Sequence, residues 1–239
     1  MTSIIPSEII SQLKKIKNCQ AILLTGSRVI DRENKNSDWD FYIILKDKSL
    51  RWRKTWKYKN TWIEIFCNDT KQIKDEFIED LKEGKGVTTS MFATGHILLD
   101  TPHNTIQKLV AIAKKNWKKG PQKLSMEEKN WLNYDLSGYI QDIEDCLLNN
   151  NPAPTIFNQA YNEMIRYYYR LSNIWLPRPK DRLNDLKTNH RDIFAIVTLI
   201  DKQSVWKRKA ILLLKLGNYI GRKFHLSLNG ELLVRPKKV

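Results

Sequence analysis

The sequence predicts an α+β protein in which a mixed sheet with helices is followed by an all-α helical bundle. Short runs rich in β-branched and aromatic residues, separated by turn residues, are confined to residues 21–99. Beyond them, apolar residues recur at the spacing of amphipathic helices. Since 239 residues suffice for two domains, we expect one over residues 1–102 and one over residues 103–239.

The first domain is expected to begin with a short amphipathic helix around residues 9–16. The apolar run 21–24 is typical of a buried strand, and it ends in a tight turn at Gly26-Ser27. A second strand is predicted over residues 38–45 because of its β-branched and aromatic content. The remaining predicted elements are a hairpin over residues 51–66, a helix over residues 71–82 and a short strand over residues 97–99.

The second domain shows only the helical period. Its apolar patterns fall at residues 106–113, 132–147, 156–175, 193–200 and 205–224. The Asn- and Pro-rich segment 149–154 predicts a loop between two of these helices.

The composition argues against a membrane protein, a secreted protein and a cysteine-based metal or disulfide framework. No segment approaches the ~20 apolar residues of a membrane-spanning helix, and residues 1–10 lack the pattern of a signal peptide. We therefore expect a cytoplasmic protein without a membrane partner. The three cysteines are far apart and form no C-x-x-C pair, which argues against a disulfide framework or a zinc site.

The net charge gives the first indication of which molecules the protein binds. Lys and Arg number 41 against 26 Asp and Glu, a net charge of +15 that favours polyanionic partners such as nucleotides or nucleic acid. Residues 130–165 form an exception, which we call the acidic island: they contain no Lys or Arg and five acids. Two of those acids, Asp135 and Asp142, are seven residues apart on one predicted helix and share a face.

Three acidic residues are candidates for a metal site. Asp38 and Asp40 are two residues apart on a predicted strand, so both carboxylates project from the same face. Glu64 lies between Ile63 and Ile65 on an apolar strand, where a surface acid is unexpected. A cross-strand ion pair of Glu64 with a hairpin lysine is the alternative. If the two strands are neighbours, three carboxylates converge, and such an oxygen-only set suits Mg²⁺.

Gly26 and Ser27 stand twelve and eleven residues before Asp38, where the first strand ends and a helix is expected to begin. Backbone N–H groups and a hydroxyl at such a turn can hold phosphate oxygens. A phosphate-binding turn beside carboxylates that bind a metal is typical of sites for in-line phosphoryl or nucleotidyl transfer.

These residues resemble the signature of the polymerase-β-type nucleotidyltransferase superfamily. Gly26-Ser27, Asp38-x-Asp40 and Glu64 carry the resemblance, which covers residues 20–100, although Trp39 is bulkier than the usual aliphatic residue. The helical half is similar to that of the antibiotic nucleotidyltransferases, in particular the aminoglycoside adenylyltransferases, around residues 165–180. In this segment the adenylyltransferases have an arginine and, further on, a lysine. The arginine matches either Arg166 or Arg170, and the lysine matches Lys180.

The resemblance implies an enzyme that uses ATP and Mg²⁺ to move a nucleoside monophosphate to an acceptor hydroxyl, with release of pyrophosphate. Gly26 and Ser27 would bind the triphosphate tail, together with Lys180. An ordinary solvated lysine is the alternative for Lys180. Asp38 and Asp40 would bind the metal, and Glu64 would either complete its coordination or act as general base.

Three acceptors are compatible with the sequence. An aminoglycoside-like polycation suits Asp135 and Asp142, and we expect this acceptor, although the two acids could instead form a solvated face. An RNA end suits the net charge and the basic, aromatic hairpin of residues 51–59, but the acidic island would repel it. We expect the hairpin instead to bury one aromatic face and to leave its lysines in solvent. A protein hydroxyl, as in antitoxin-like relatives, requires neither feature. A nucleotide-binding scaffold without catalysis is the alternative outside the enzymes.

Overall fold

The computed structural model of the protein describes residues 5–30, 33–34, 36–230 and 232. Its contacts divide the chain into two units, Met1–Pro121 and Gln122–Val239. A mixed five-stranded sheet lies in the first unit, and a run of helices makes up the described part of the second, which confirms the α+β class. Residues 1–4 of the N-terminal segment considered above lie outside the described residues.

The first unit follows the predicted order of elements, with one additional helix. Its elements are α1 (Ser7–Lys14), β1 (Cys19–Thr25), a one-turn 3-10 helix (Ser27–Val29), β2 (Trp39–Leu45), β3 (Trp52–Tyr58), β4 (Thr61–Asp69), α2 (Thr70–Glu83), α3 (Val87–Thr94), β5 (His96–Leu99) and α4 (Thr105–Lys119).

The strands of the sheet are ordered β3-β4-β2-β1-β5. Strands β2 and β4 run parallel, whereas the other three neighbouring pairs are antiparallel. In this register Asp40 of β2 lies opposite Glu64 of β4 and opposite Thr25 of β1. The hairpin strand β4 is therefore the neighbour of the strand that carries the aspartates.

Successive side chains of β2 point to opposite faces of the sheet. Phe41 and Ile43 belong to a buried cluster that also contains Ile9 of α1, on what we call the α1 face. Tyr42 and Ile44 belong to a second cluster, which includes side chains of α2, α3 and α4. Asp40 is two residues before Tyr42 on the same strand, so its side chain projects from the same face. We call this second face the carboxylate face.

Helix α4 explains where the first unit ends. Its buried residues Ile106, Leu109 and Ala113 lie in the same cluster as Leu23 and Ile44 of the sheet. The predicted boundary at residues 102/103 lies ahead of this helix, whereas the units of the structure divide after Pro121. The helical period of α4 shows that one face is apolar, but it does not show whether that face packs on the sheet or on the later helices.

Helix α3 is the element of the first unit that periodicity did not predict. It contains Thr88, Thr89 and Ser90 and has no apolar stripe. The carboxylate of Asp80 binds the first turn of α3 by accepting hydrogen bonds from the backbone N–H groups of Val87 and Thr89, at 2.9 and 2.6 Å. Burial raises the pKa of Asp80 above its usual range. A tertiary hydrogen bond thus helps to start this helix.

The described helices of the second unit are α5 (Met126–Leu148), α6 (Pro154–Leu171), α7 (Pro179–Asn189), α8 (Arg191–Asp201) and α9 (Trp206–Lys223). The predicted loop separates α5 from α6, whereas α7 was not predicted. The buried core includes Leu136, Ile143, Met164 and Leu213. None of the helices described in either unit has the length and apolar character needed to span a membrane.

Candidate active site

Three carboxylates meet at one end of the carboxylate face. Asp38 immediately precedes β2, Asp40 is its second residue, and the parallel register places Glu64 beside Asp40. One carboxylate oxygen from each residue lies within 4.8 Å of the other two, and all three residues are partly buried. We call this group the carboxylate triad.

The triad has the donor set of a divalent cation site. Three carboxylates held this close repel one another unless a cation offsets their charge. Oxygen-only ligands are those that Mg²⁺ prefers. The residues present therefore fit a hard divalent cation such as Mg²⁺.

The alternative explanation of Glu64, an ion pair with a hairpin lysine, finds no support in the structure. Its cross-strand neighbour on β3 is Thr55, rather than Lys54 or Lys57. Among the described residues, no ion pair includes Glu64. One of its carboxylate oxygens instead lies within 4.8 Å of an oxygen of each aspartate in the triad.

Gly26 brings the backbone against the triad. It follows β1 with a φ of 82°, a conformation that other residues rarely adopt. A Cβ atom built at this position would lie 1.8 Å from Oδ2 of Asp40. Only glycine allows this approach. Ser27 follows as a buried residue, and the helix expected there is a single 3-10 turn.

Arg28 is a residue of the site that the sequence analysis missed. Its Nε donates to the backbone carbonyl of Asp38 at 2.9 Å, and its Nη2 donates to that of Ser37. Its guanidinium also lies 4.5 Å from the centre of the Trp39 ring. Arg28 therefore connects the Gly26-Ser27 turn to the start of β2. The available signals were its position directly after Gly-Ser and the unusual Trp39.

The basic hairpin presents different residues to the two faces of the sheet. Trp56 and Tyr58 pack against the buried cluster of the α1 face. On the carboxylate face, Arg53 and Lys57 of β3 lie opposite Phe66 and Trp62 of β4. Trp56 and Tyr58 are thus partly buried, as expected, whereas the exposed basic side chains of Arg53 and Lys57 lie on the same face as Glu64.

The other predicted site residues belong to the second unit. Lys180 is exposed in the first turn of α7, and Asp135 and Asp142 are exposed on α5. Asp135 accepts a hydrogen bond from the Tyr167 hydroxyl at 3.5 Å. The roles of all three residues stay predictions.

The two candidate arginines of α6 differ in environment. Arg166 pairs with Glu163 on the same helix, at 2.5 Å between Nη2 and a carboxylate oxygen. Arg170 is buried and donates to the backbone carbonyl of Gln122 at 3.1 Å. Burial lowers the pKa of Arg170. Its position indicates a structural role within the second unit.

Comparison with known proteins gives one family match. Residues 7–104 match the family model described as "Polymerase beta, Nucleotidyltransferase". This segment runs from the first residue of α1 to the residue before α4 and includes Gly26, Ser27 and the carboxylate triad. A comparison with curated proteins gave no match.

Similarity to a solved structure also supports the fold. The chain is similar to the crystal structure of a nucleotidyltransferase-like protein from Exiguobacterium sibiricum 255-15, with a TM-score of 0.52. The similarity covers 91% of this chain and 73% of that chain, at 9% sequence identity. At this identity the likeness establishes the fold alone.

Proposed function

We propose, from the match of residues 7–104 to the polymerase-β nucleotidyltransferase family model, that the protein moves AMP from ATP to an acceptor hydroxyl. The acceptor oxygen forms a bond to the α-phosphorus, the bond from that phosphorus to the β-phosphate oxygen breaks, and pyrophosphate leaves with the electron pair. The convergence of Asp38, Asp40 and Glu64 within 4.8 Å is the observation that carries the proposal.

The triad supplies the ligands for Mg²⁺. Asp38 and Asp40 would hold the ion, and Glu64 would either complete its coordination or accept the proton of the acceptor hydroxyl. When bound, the divalent ion would offset the charge on the phosphate oxygens as the transition state forms. Both roles of Glu64 agree with its place beside Asp40.

Gly26 and Ser27 hold the triphosphate tail. The turn after β1 brings the Gly26 backbone against Asp40, and its N–H groups and the Ser27 hydroxyl would bind phosphate oxygens. Arg28 donates to the backbone carbonyls of Ser37 and Asp38 and thereby connects this turn to the start of β2, where Asp38 lies.

A pooled-acceptor assay tests the function. The protein is incubated with labelled ATP, Mg²⁺ and a pool of aminoglycosides, lincosamides, tRNA and cell lysate, and mass spectrometry identifies whatever gains a nucleotide. We expect one acceptor class to gain AMP and an equal amount of pyrophosphate to appear. Binding of ATP and metal without any turnover would instead identify a nucleotide-binding scaffold.

Lys180 is proposed to contact the triphosphate, as the resemblance to the adenylyltransferases implies. Charge-assisted bonds contribute roughly 1.5–3 kcal/mol, so Lys180→Ala should weaken ATP binding about 10- to 100-fold. Titration calorimetry with ATP and Mg²⁺ measures this change. Lys187→Ala, on an exposed position of the same helix, is the matched control. Equal ATP affinity in both variants would show that the role of Lys180 was wrongly transferred.

A cationic small molecule of the aminoglycoside kind is one candidate acceptor, supported by the acidic island. For such an acceptor, Asp135→Asn with Asp142→Asn should raise the acceptor KM about tenfold, because each change removes an attractive charge. Salt should weaken its binding, since exposed charges are screened beyond about 8 Å at physiological ionic strength. Glu127→Gln, at the start of the same helix, is the control. An unchanged KM would remove this candidate.

A further inference from the structure

We propose that the acceptor binds along the outer strands of the carboxylate face and is a single-stranded nucleic acid with a free terminal hydroxyl. This inference rests on the proposed function and names its acceptor class. The surface consists of Arg53 and Lys57 of β3 and Trp62 of β4, which we call the acceptor strip. It deepens the mechanism by assigning residues to the second substrate.

The order of strands determines the side from which the acceptor approaches. In-line transfer places the attacking and leaving oxygens on opposite sides of the phosphorus. Gly26 and Ser27, which hold the leaving pyrophosphate, follow β1 on one side of β2. Glu64 lies on β4, on the other side of β2. The acceptor hydroxyl therefore arrives from the side of β4 and β3.

The acceptor strip lies on that side and on the same face as Glu64. Thr55 pairs with Glu64, and the same row continues through the pairs of Arg53 with Phe66 and Lys57 with Trp62. The guanidinium of Arg53 lies 4.9 Å from the centre of the Phe66 ring, which confirms that this side chain is on the carboxylate face.

The strip has the chemistry of a nucleic-acid surface. Arg53 and Lys57 are exposed, and within the part of the chain that the structure describes neither has an acidic partner at ion-pair distance. Trp62, the second residue of β4, is 52% exposed and lies at the turn end of the hairpin. An exposed aromatic ring beside cations is suited to stack a base while the cations bind phosphates.

The spacing of the charges favours a chain over a single nucleotide. Arg53 and Lys57 are four residues apart on one strand, which separates them by about 13 Å. A ligand with successive phosphates can contact both side chains. Residues 51–59 contain five basic residues and no acid, and of these Arg51 pairs with Glu76 at 2.6 Å. Of the other four, Arg53 and Lys57 lie on the carboxylate face, where they would repel a polycationic acceptor.

Binding to short fluorescent oligoadenylates, RNA and DNA in separate arms, tests the strip with the full chain. We expect Arg53→Ala and Lys57→Ala each to weaken binding and to reduce the slope of log K against log salt by about 0.7. Trp62→Ala should weaken binding about 5- to 100-fold through loss of stacking. The control removes Lys14 and Lys15 together, two exposed lysines on and directly after α1, which packs on the opposite face.

Transfer assays complete the test. With ATP and Mg²⁺, the oligonucleotide should gain AMP, and the strip variants should raise its KM while leaving ATP affinity unchanged. Equal oligonucleotide affinity in strip and control variants would overturn the inference, as would AMP transfer to an aminoglycoside whose KM falls when Arg53 and Lys57 are removed. In either case the proposed function stands. If the wild-type protein neither binds ATP nor releases pyrophosphate with any acceptor, the proposed function itself fails.

Discussion

Asp38→Asn and Asp40→Asn should each lower nucleotidyl transfer by at least about 1000-fold while the protein stays folded. Both changes keep side-chain volume and remove a negative charge from the triad. Metal ions contribute several kcal/mol of transition-state stabilisation in such sites, and each 1.4 kcal/mol corresponds to a tenfold change in rate. Pyrophosphate release measures the loss of activity.

Thermal unfolding separates the metal site from a structural role. Without divalent ions, the asparagine variants should unfold at the same temperature as the wild type or higher, since like charges are removed from one place. Mg²⁺ should raise the unfolding temperature of the wild type more than that of either variant. Asp75→Asn, at an exposed position of α2, is the matched control. Full turnover in both triad variants would contradict the assignment of the active site.

Gly26→Ala should also abolish transfer, although Gly26 carries no reactive group. The added Cβ would lie 1.8 Å from Oδ2 of Asp40, so either the turn or the metal ligand must move. The backbone at φ 82° adds a strain of about 1–3 kcal/mol for a residue other than glycine. We therefore expect a loss of activity close to that of Asp40→Asn, together with a lower unfolding temperature.

Gly138→Ala provides the control for this prediction. No atom lies within 4 Å of a Cβ built at Gly138, which is inside helix α5. Alanine is favoured over glycine in a helix by up to about 1 kcal/mol, so this variant should be as stable as the wild type or more stable. If Gly26→Ala kept wild-type turnover and wild-type metal dependence, the turn after β1 would not belong to the active site.

The sequence by itself determined the local part of the site. The spacing of Asp38 and Asp40 places both on one face of β2, because side chains alternate along any strand. The apolar neighbours Ile63 and Ile65 likewise assign Glu64 to the face opposite their own. Amphipathic spacing also predicted most of the helices, since an apolar stripe shows which side of a helix is buried.

Only the tertiary structure decided which of these local features meet. The parallel pairing of β2 with β4 sets Asp40 opposite Glu64, and no local pattern specifies a register between strands that are distant in sequence. The same holds for Arg28, whose partners are backbone carbonyls of another segment, and for α3, whose first turn is bound by Asp80. Such contacts depend on backbone groups that nearly every residue has, so side-chain patterns do not specify the partner.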